Sequence, residues 1–478
     1  MGFLGLRLVS PRPIVCVLAV VVLGLSGCAS LQQPASPAAP LSVPAGWSAA
    51  APSSGEVAAL AQWWRRFDDP VLPALVEQAL AGSTDIAAAQ ARLRQARAQR
   101  DLTAAGRTLT VSGSGSAQAS RREGSATAQS YGVGIDARWE ADLWGGSAAG
   151  LRAADATAEA SAVTLAGTRV AVAAEVALNV LQLRGTQARL ANARQSLASQ
   201  QQTLQIVQWR ADAGLVTQLD VEQAKTAVEQ TRAQIPALEI STTQAMNALA
   251  VLTGRAPGAL AGTLQAQTPA RAPTTPPELA LALPAEVLRQ RPDMRVAELQ
   301  LRAAAARVDQ ADAQRLPSLS LGGSIGLNAL SLTGLGSAPA AASLLASISV
   351  PLFDGGRIRA QVRQQEAARD EAEIGYRATL LAALQEVEDT LVALRGTREQ
   401  LAAQQAAAAS ALNAAQIAEQ RYRSGLVDFQ NVLQTQRTLL AAQDGVAATA
   451  TTLATQHVRL YKALGGGWRP DTATIASP

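Results

Sequence analysis

The sequence has little with which to do chemistry. Of its 478 residues one is histidine, His457, and two are cysteines, Cys16 and Cys28. That excludes His/Cys zinc centres, Cys–His nucleophiles and a disulfide framework within a mature chain. Aromatics make up 3% and charged residues 16%, while the apolar 48% is largely alanine. Helix faces built this way can approach closely without a thick aromatic core. The net charge is only +4, with no basic patch interleaved with aromatics, so nucleic acid is not an expected partner. The carboxylate clusters Asp68-Asp69 and Glu386, Glu388, Asp389 read as helix solvation or capping. His457 has no second His or Cys nearby in the chain. Gly465-Gly466-Gly467 lacks the Lys-Ser/Thr of a phosphate loop and reads as a helix stop. No catalytic residue, metal site or cofactor is assigned, and no enzyme is expected.

What is present begins with a processing signal. Arg7 and Arg12 precede an apolar stretch from Ile14 to Leu25, too short to span a bilayer comfortably, followed by Ser26-Gly27-Cys28. Residues 1–27 read as a signal peptide. Leu25-Ser26-Gly27-Cys28 resembles the bacterial lipobox, in which the cysteine is acylated and becomes residue one; the alternative is a plain signal peptide with a chance cysteine. Ala29 in place of Asp puts the product on the outer-membrane side of that sorting rule. Residues 28–59, rich in Pro, Ala and Ser, read as a tether. No later run reaches 18 apolar residues, so no helical span is expected; the chain either hangs from the membrane or crosses it as β-strands.

The chain then repeats itself. Asp85-Ile86-Ala87-Ala88-Ala89-Gln90 answers Asp293-Met294-Arg295-Val296-Ala297-Glu298, and Trp144-Gly145-Gly146 answers Phe353-Asp354-Gly355-Gly356. Ala213-Gly214-Leu215-Val216 answers Ser424-Gly425-Leu426-Val427. The offsets, about 208 to 211, mark a tandem duplication. Each half predicts a helix (84–105; 293–315) and two short strands (107–120 and 129–143; 318–328 and 343–353). A proline-free helical stretch follows, Ser147 to Asp212 and Arg357 to Arg423, roughly 100 Å long at 1.5 Å per residue. Val176, Leu183, Leu190, Leu197 and Leu204 recur every seventh residue in the first. Leu380, Val387, Leu394 and Leu401 do so in the second, continuing as Ala408 and Ala415. That spacing is a coiled-coil seam. Gly214 and Gly425 suit left-handed helix stops, predicting hairpins with tips at 213–217 and 424–428; the alternative is one kinked helix at each site. Gly145, Gly146, Gly355 and Gly356 read as strand-to-helix bends. The expected repeats are 60–262 and 283–468, with a linker at 263–282 and a tail at 469–478.

Several motifs, in order, carry a resemblance that covers nearly the whole mature chain. They are Trp63-Trp64 with Phe67-Asp68-Asp69-Pro70, Ala213-Gly214-Leu215-Val216 with Leu219-Asp220-Val221, and Leu288-Arg289-Gln290-Arg291-Pro292-Asp293. Pro351-Leu352-Phe353-Asp354-Gly355-Gly356 and Leu460-Tyr461-Lys462-Ala463-Leu464-Gly465 complete the set. Together they resemble the outer-membrane factor (TolC-like) family, specifically its lipidated branch serving tripartite pumps of the resistance-nodulation-division type. The resemblance implies a mainly α fold with a small β part. Three protomers would share a twelve-stranded transmembrane β-barrel, four strands each, continuous with a long α-barrel in the periplasm. It implies a homotrimer in the outer membrane, lipid-anchored at Cys28, with most of the chain periplasmic. Its partners would be outer-membrane lipid, a periplasmic adaptor (membrane fusion) protein and an inner-membrane efflux pump. It also makes Gly214, Leu215, Val216, Thr217, Gly425, Leu426 and Val427 adaptor-docking tips, and Asp428 and Asp220 candidates for the channel constriction. The plain alternative is that Leu and Val cap each coiled-coil end. The barrel's aromatic girdle is thin, with Tyr131, Trp139, Trp144 and Phe353 as candidates. The expected function is a passive exit duct for drugs or other small toxic compounds. A protein-secretion duct and a non-channel coiled-coil lipoprotein are the alternatives, the second disfavoured because a tether needs no strands.

Overall fold

The computed structural model describes residues 62–124, 126–266 and 288–468, with 44, 46, 47, 272–274 and 276 besides. Cys28 and all of the tether but residues 44, 46 and 47 lie outside the described residues. A 3-10 turn, Trp63–Arg66, comes first among the described elements. The first half then runs α1 (Leu72–Gly82), α2 (Thr84–Ala105), β1 (Thr110–Ser120), β2 (Ala128–Ala141), α3 (Gly146–Asp212), α4 (Gln218–Leu252) and a short α5 (Ala261–Ala266). The second runs α6 (Pro292–Ala313), β3 (Ser318–Ala329), β4 (Ala340–Ser349), α7 (Arg357–Arg423) and α8 (Phe429–Ala463), with a 3-10 turn at Thr333–Ser337 between the strands.

The duplication holds to the residue in the helices. α2 and α6 each have 22 residues, α3 and α7 each 67, and α4 and α8 each 35. Both long helices end where glycine stops them and turn back as separate helices, so the hairpin reading stands and the kinked-helix alternative does not. Each half is also closed end to end. A Cβ on Gly254, just past α4, would meet the Gly82 carbonyl at 2.2 Å; one on Gly465, just past α8, would meet the Gln290 carbonyl at 2.3 Å. Both glycines lie at positive φ, 74° and 90°, so only glycine meets both demands at each place. Gly465-Gly466-Gly467, all at positive φ, is the helix stop the sequence predicts.

The four strands make one antiparallel sheet in the order β1-β2-β3-β4. The strand bounds differ from expectation by up to four residues, most at the start of β1 and at both ends of β4. β1 starts at Thr110 rather than 107, because Arg107 and Thr108 still donate to Ala104 and Ala105 in the last turn of α2. β4 occupies 340–349 rather than 343–353; it ends early because Pro351 has no N–H to continue the ladder.

The core lies where the termini meet the long helices. Trp63 stacks on Tyr461 with centroids 5.1 Å apart, and Phe67 meets the same ring edge-on. Leu72, Val76, Val176, Leu183, Val387 and Val458 are buried around them. The heptad columns run into this core: Val176, Leu183, Leu380, Val387 and Leu394 are buried, and Leu197, Leu204 and Leu401 are half-buried farther along. By length and composition alone α3 is apolar enough over an 18-residue window to cross a membrane, which counting unbroken apolar runs misses. Its Val172, Ala173, Ala174, Val176, Ala177 and Val180 belong instead to the protein core.

Two buried arginines, each held by carboxylates, tie this region together. Arg184 on α3 donates from Nε to Asp69 at 2.8 Å, with both side chains nearly inaccessible. Asp69 also accepts from the Val71 and Leu72 amides at the start of α1. Arg291 reaches Asp293, Glu386 on α7 and the Ala463 carbonyl at the end of α8. Asp69 and Glu386, read as solvated or capping carboxylates, therefore hold buried guanidinium groups; for Asp69 the cap is real but only half its work. Burial raises the Asp293 carboxyl, yet the hydrogen bonds and charge of Arg291 outweigh it and hold the group below the ordinary carboxylate range.

Candidate functional site: the strand face and the paired tips

Alternation sorts the sheet into two unlike faces. Val133, Ile135 and Trp139 on β2 lie beside Leu327, Ile325 and Leu321 on β3, and Leu344 and Ile348 continue the same face on β4. The opposite face carries Asp136, Arg138 and Glu140, with serine pairs between strands: Ser320 to Ser347 at 2.7 Å and Ser324 to Ser343 at 2.8 Å. Leu345 is the apolar exception there. Tyr131 and Trp139 share the apolar face of one strand, about 27 Å apart along it, close to the height of the apolar band on membrane barrels. Trp144 instead donates to the Pro317 carbonyl at 2.6 Å, and Phe353 is 94% exposed just beyond β4. Among the described residues neither β1 nor β4 has an outer neighbour. A sheet apolar on one side and polar on the other, with both edges open, is a segment of barrel wall.

Where strand becomes helix, Gly145, Gly355 and Gly356 have φ of 73°, 65° and 87°. Gly146 does not bend the chain; a Cβ there would sit 2.8 Å from that of Ala313, so it is small to let α3 and α6 touch. Carboxylates that sequence reasoning missed complete these junctions. Asp142 accepts from the Ser147 and Ala148 amides, and Asp354 from Gly356 and Ile358, at the first turns of α3 and α7. The Ile358 and Gly356 amides hold the Asp354 carboxyl below its ordinary range.

At the far end of the long helices both tips use one device. Gly214 and Gly425 have φ of 75° and 72°. Leu215 N–H donates back to the Arg210 carbonyl, and Leu426 N–H to that of Arg421, each with the glycine N–H closing the inner turn. These are Schellman stops. Leu215 and Leu426 are each 73% exposed, while Val216 and Val427 tuck into a shared cluster of Val207, Val221, Tyr422, Phe429 and Val432. The two tips therefore pack on each other. Arg210 fastens them: its guanidinium lies 4.3 Å over the Tyr422 ring and donates to the Arg423 carbonyl at 2.8 Å. Burial pushes the Tyr422 hydroxyl up against the opposing Arg210 charge. Neither residue stands out in the sequence, since a surface arginine and a tyrosine beside a turn are ordinary.

The two acids at the tips differ. Asp220 is spent locally in a capping box: its carboxylate accepts from Thr217 N–H at 3.0 Å and Thr217 Oγ1 at 2.8 Å. Asp428 begins α8 with no side-chain capping bond and is exposed.

A barrel-wall sheet mounted on two long helical hairpins defines a subunit of a membrane channel. The pattern of the outer membrane efflux protein family matches residues 75–255 and 283–466, and the chain belongs to that family. It is 32% identical over 464 residues to the pyoverdine export outer membrane protein OpmQ of Pseudomonas putida, covering 95% of this chain and 97% of that one. It is also 32% identical to the outer membrane protein OprJ of Pseudomonas aeruginosa, covering 94% and 95%. Among solved structures, the outer-membrane channel OprN superposes with a TM-score of 0.80 at 34% identity, covering 92% of this chain and 98% of that one. The outer membrane protein VceC of Vibrio cholerae gives 0.79 at 27%, covering 86% and 99%. The protein is an outer-membrane efflux channel, of a family of channels rather than enzymes.

Proposed function

We propose that the chain is the exit duct of a tripartite efflux pump, working as a passive homotrimer. The observation that carries this is the four-stranded sheet with open edges and one apolar face. Four strands cannot close around a water-filled lumen, and a membrane does not tolerate the open edges, so further copies must supply the missing wall. Three copies would make the twelve-stranded barrel. Acylated Cys28 would anchor each protomer, 28–59 would be the tether, and 60–262 and 283–468 the two repeats joined by 263–282.

At the periplasmic end, the exposed Leu215 and Leu426, beside Gly214, Val216, Thr217, Gly425 and Val427, would meet an adaptor fed by an inner-membrane pump. The Arg210–Tyr422 clasp would keep the tips together at rest. Asp428 is the stronger of the two constriction candidates, because its carboxylate is not consumed by a cap. Relatives are named for pyoverdine, antibiotic and toluene export; such breadth supports a duct that carries small compounds chosen by its pump. Analytical ultracentrifugation in detergent, with bilayer conductance of the same preparation, tests the reading. A stable monomer would rule it out.

A further inference from the structure

A cavity with a volume near 630 Å³ lies on the helical wall just beneath the strands. Its floor is built from small side chains one and two turns apart on α3: Gly150, Ala153, Ala154 and Thr157. Its sides are long and polar. Arg92, Gln95, Gln99 and Arg100 form one face of α2. Arg307, Gln310 and Gln314 form one face of α6, and Gln361 and Gln365 come from α7. A Cβ on Gly150 would sit 2.8 Å from the Gln310 amide nitrogen, so the glycine leaves that carboxamide its place beside the floor.

The charge is one-sided. No carboxylate lines the cavity. Arg100 is compensated by Asp155 at 2.8 Å and Asp101 at 3.1 Å. Arg92 and Arg307 have no ion-pair partner among the described residues. Two uncompensated guanidiniums, each with five donors, thus face a hollow flanked by carboxamides that can donate as well. α2 packs on α3, α3 on α6, and α6 on α7. Side chains from all four of these neighbouring helices reach the one hollow, as they do on the concave side of a curved wall. In a ring of such walls the concave side is the lumen.

We infer that this hollow is an anion-binding station on the channel's inner wall, taking small solutes that bear one or more carboxylates. This rests on the conduit reading and names a substrate class for it. The volume suits a drug-sized molecule, and paired guanidiniums favour planar carboxylates held bidentately. Binding should be weak and salt-sensitive, as a station in transit requires, because the site is open to water.

The test uses the purified full-length channel in detergent and carboxyfluorescein as the probe, read by fluorescence polarisation. Citrate should displace the probe and sucrose should not, and affinity should fall as sodium chloride rises. Arg92→Gln with Arg307→Gln should weaken binding by at least about tenfold. Thr157→Trp, which fills the floor from an exposed position and leaves the charge alone, should weaken it comparably. Helical circular dichroism and gel-filtration volume are measured on each variant. Absence of probe binding to the wild type, or equal affinity in wild type and the double arginine variant, would overturn the station. Bilayer conductance of the same wild-type preparation separates the two readings: its absence would count against the conduit while the binding arm stands on its own.

Discussion

The two hairpin tips are copies of one backbone device carrying different chemistry. Each has a left-handed glycine, an exposed leucine and a half-buried valine, in the same order and at the same place on helices of equal length. They part at the next helix start. Thr217 and Asp220 cap α4 reciprocally, whereas Asp428 caps α8 with no side-chain bond. The duplication has kept what fixes the path of the chain and released what does not. The same holds at the other end of each half. Gly254 and Gly465 keep identical close approaches, while the residues opening the first helix differ: Ser83 caps α2 in one half, and Arg291 holds a charge network in the other.

The largest effects should come from the shared backbone positions in the core. Gly254→Val and Gly465→Val each combine a forbidden φ with a side chain driven into a carbonyl, costing roughly 3 kcal/mol or more. Both should fail to give folded channel, read as lost helical signal and lost membrane protein. Next is Arg184→Met, which leaves Asp69 buried without its cation and should cost about 3–5 kcal/mol. Arg189→Gln, which breaks the half-exposed pair with Asp444 on α8, should cost under about 1 kcal/mol. Thermal unfolding of the two variants checks the contrast.

At the tips the same glycine substitutions should cost less. Nothing lies within 4 Å of a Cβ at Gly214 or Gly425, so Gly425→Val adds only local strain of about 1–2 kcal/mol. Barrel and core should survive while drug resistance of a complemented deletion strain falls; full resistance at normal membrane levels would show that tip geometry is unimportant. Thr217→Ala should cost about 1 kcal/mol at the first tip. Asp428→Ala should cost less stability, having no capping bond to lose.

The smallest effect is one of pH. Asp293 has a lower pKa folded than unfolded, so its contribution is present above the unfolded value, near 4, and is lost as pH falls through the folded one. Acidification below about pH 4 should loosen the Arg291 junction. Asp293→Asn should remove that part of the pH dependence of the melting temperature.

Much of the fold was legible because it is written in local signals. The absence of proline from 147–212 and 357–423, the sevenfold columns and the tip glycines give both hairpins to within a residue. The strands follow from Gly, Ser and Val alternation to within four residues at each end; Arg107 staying in its helix and Pro351 ending the ladder account for two of the shifts. What stayed hidden depends on partners far apart in the chain. Asp69 and Arg184, Arg291 and Glu386, and Arg210 and Tyr422 each look like surface residues until the helices bring them together. Gly146 was misread for a similar reason: its small size answers to Ala313, on another helix, and not to the bend at its own position.

Single-channel conductance of the purified, full-length protein in a planar bilayer tests the central claim most directly, that copies of this chain form a pore held nearly shut at the paired tips. Wild type should insert and show small, infrequent openings, and Arg210→Ala or Asp428→Ala should raise resting conductance without changing the oligomer. A wide, constantly open wild-type pore, or tip variants indistinguishable from it, would contradict closure at the tips; correctly folded protein that never conducts would contradict the channel itself.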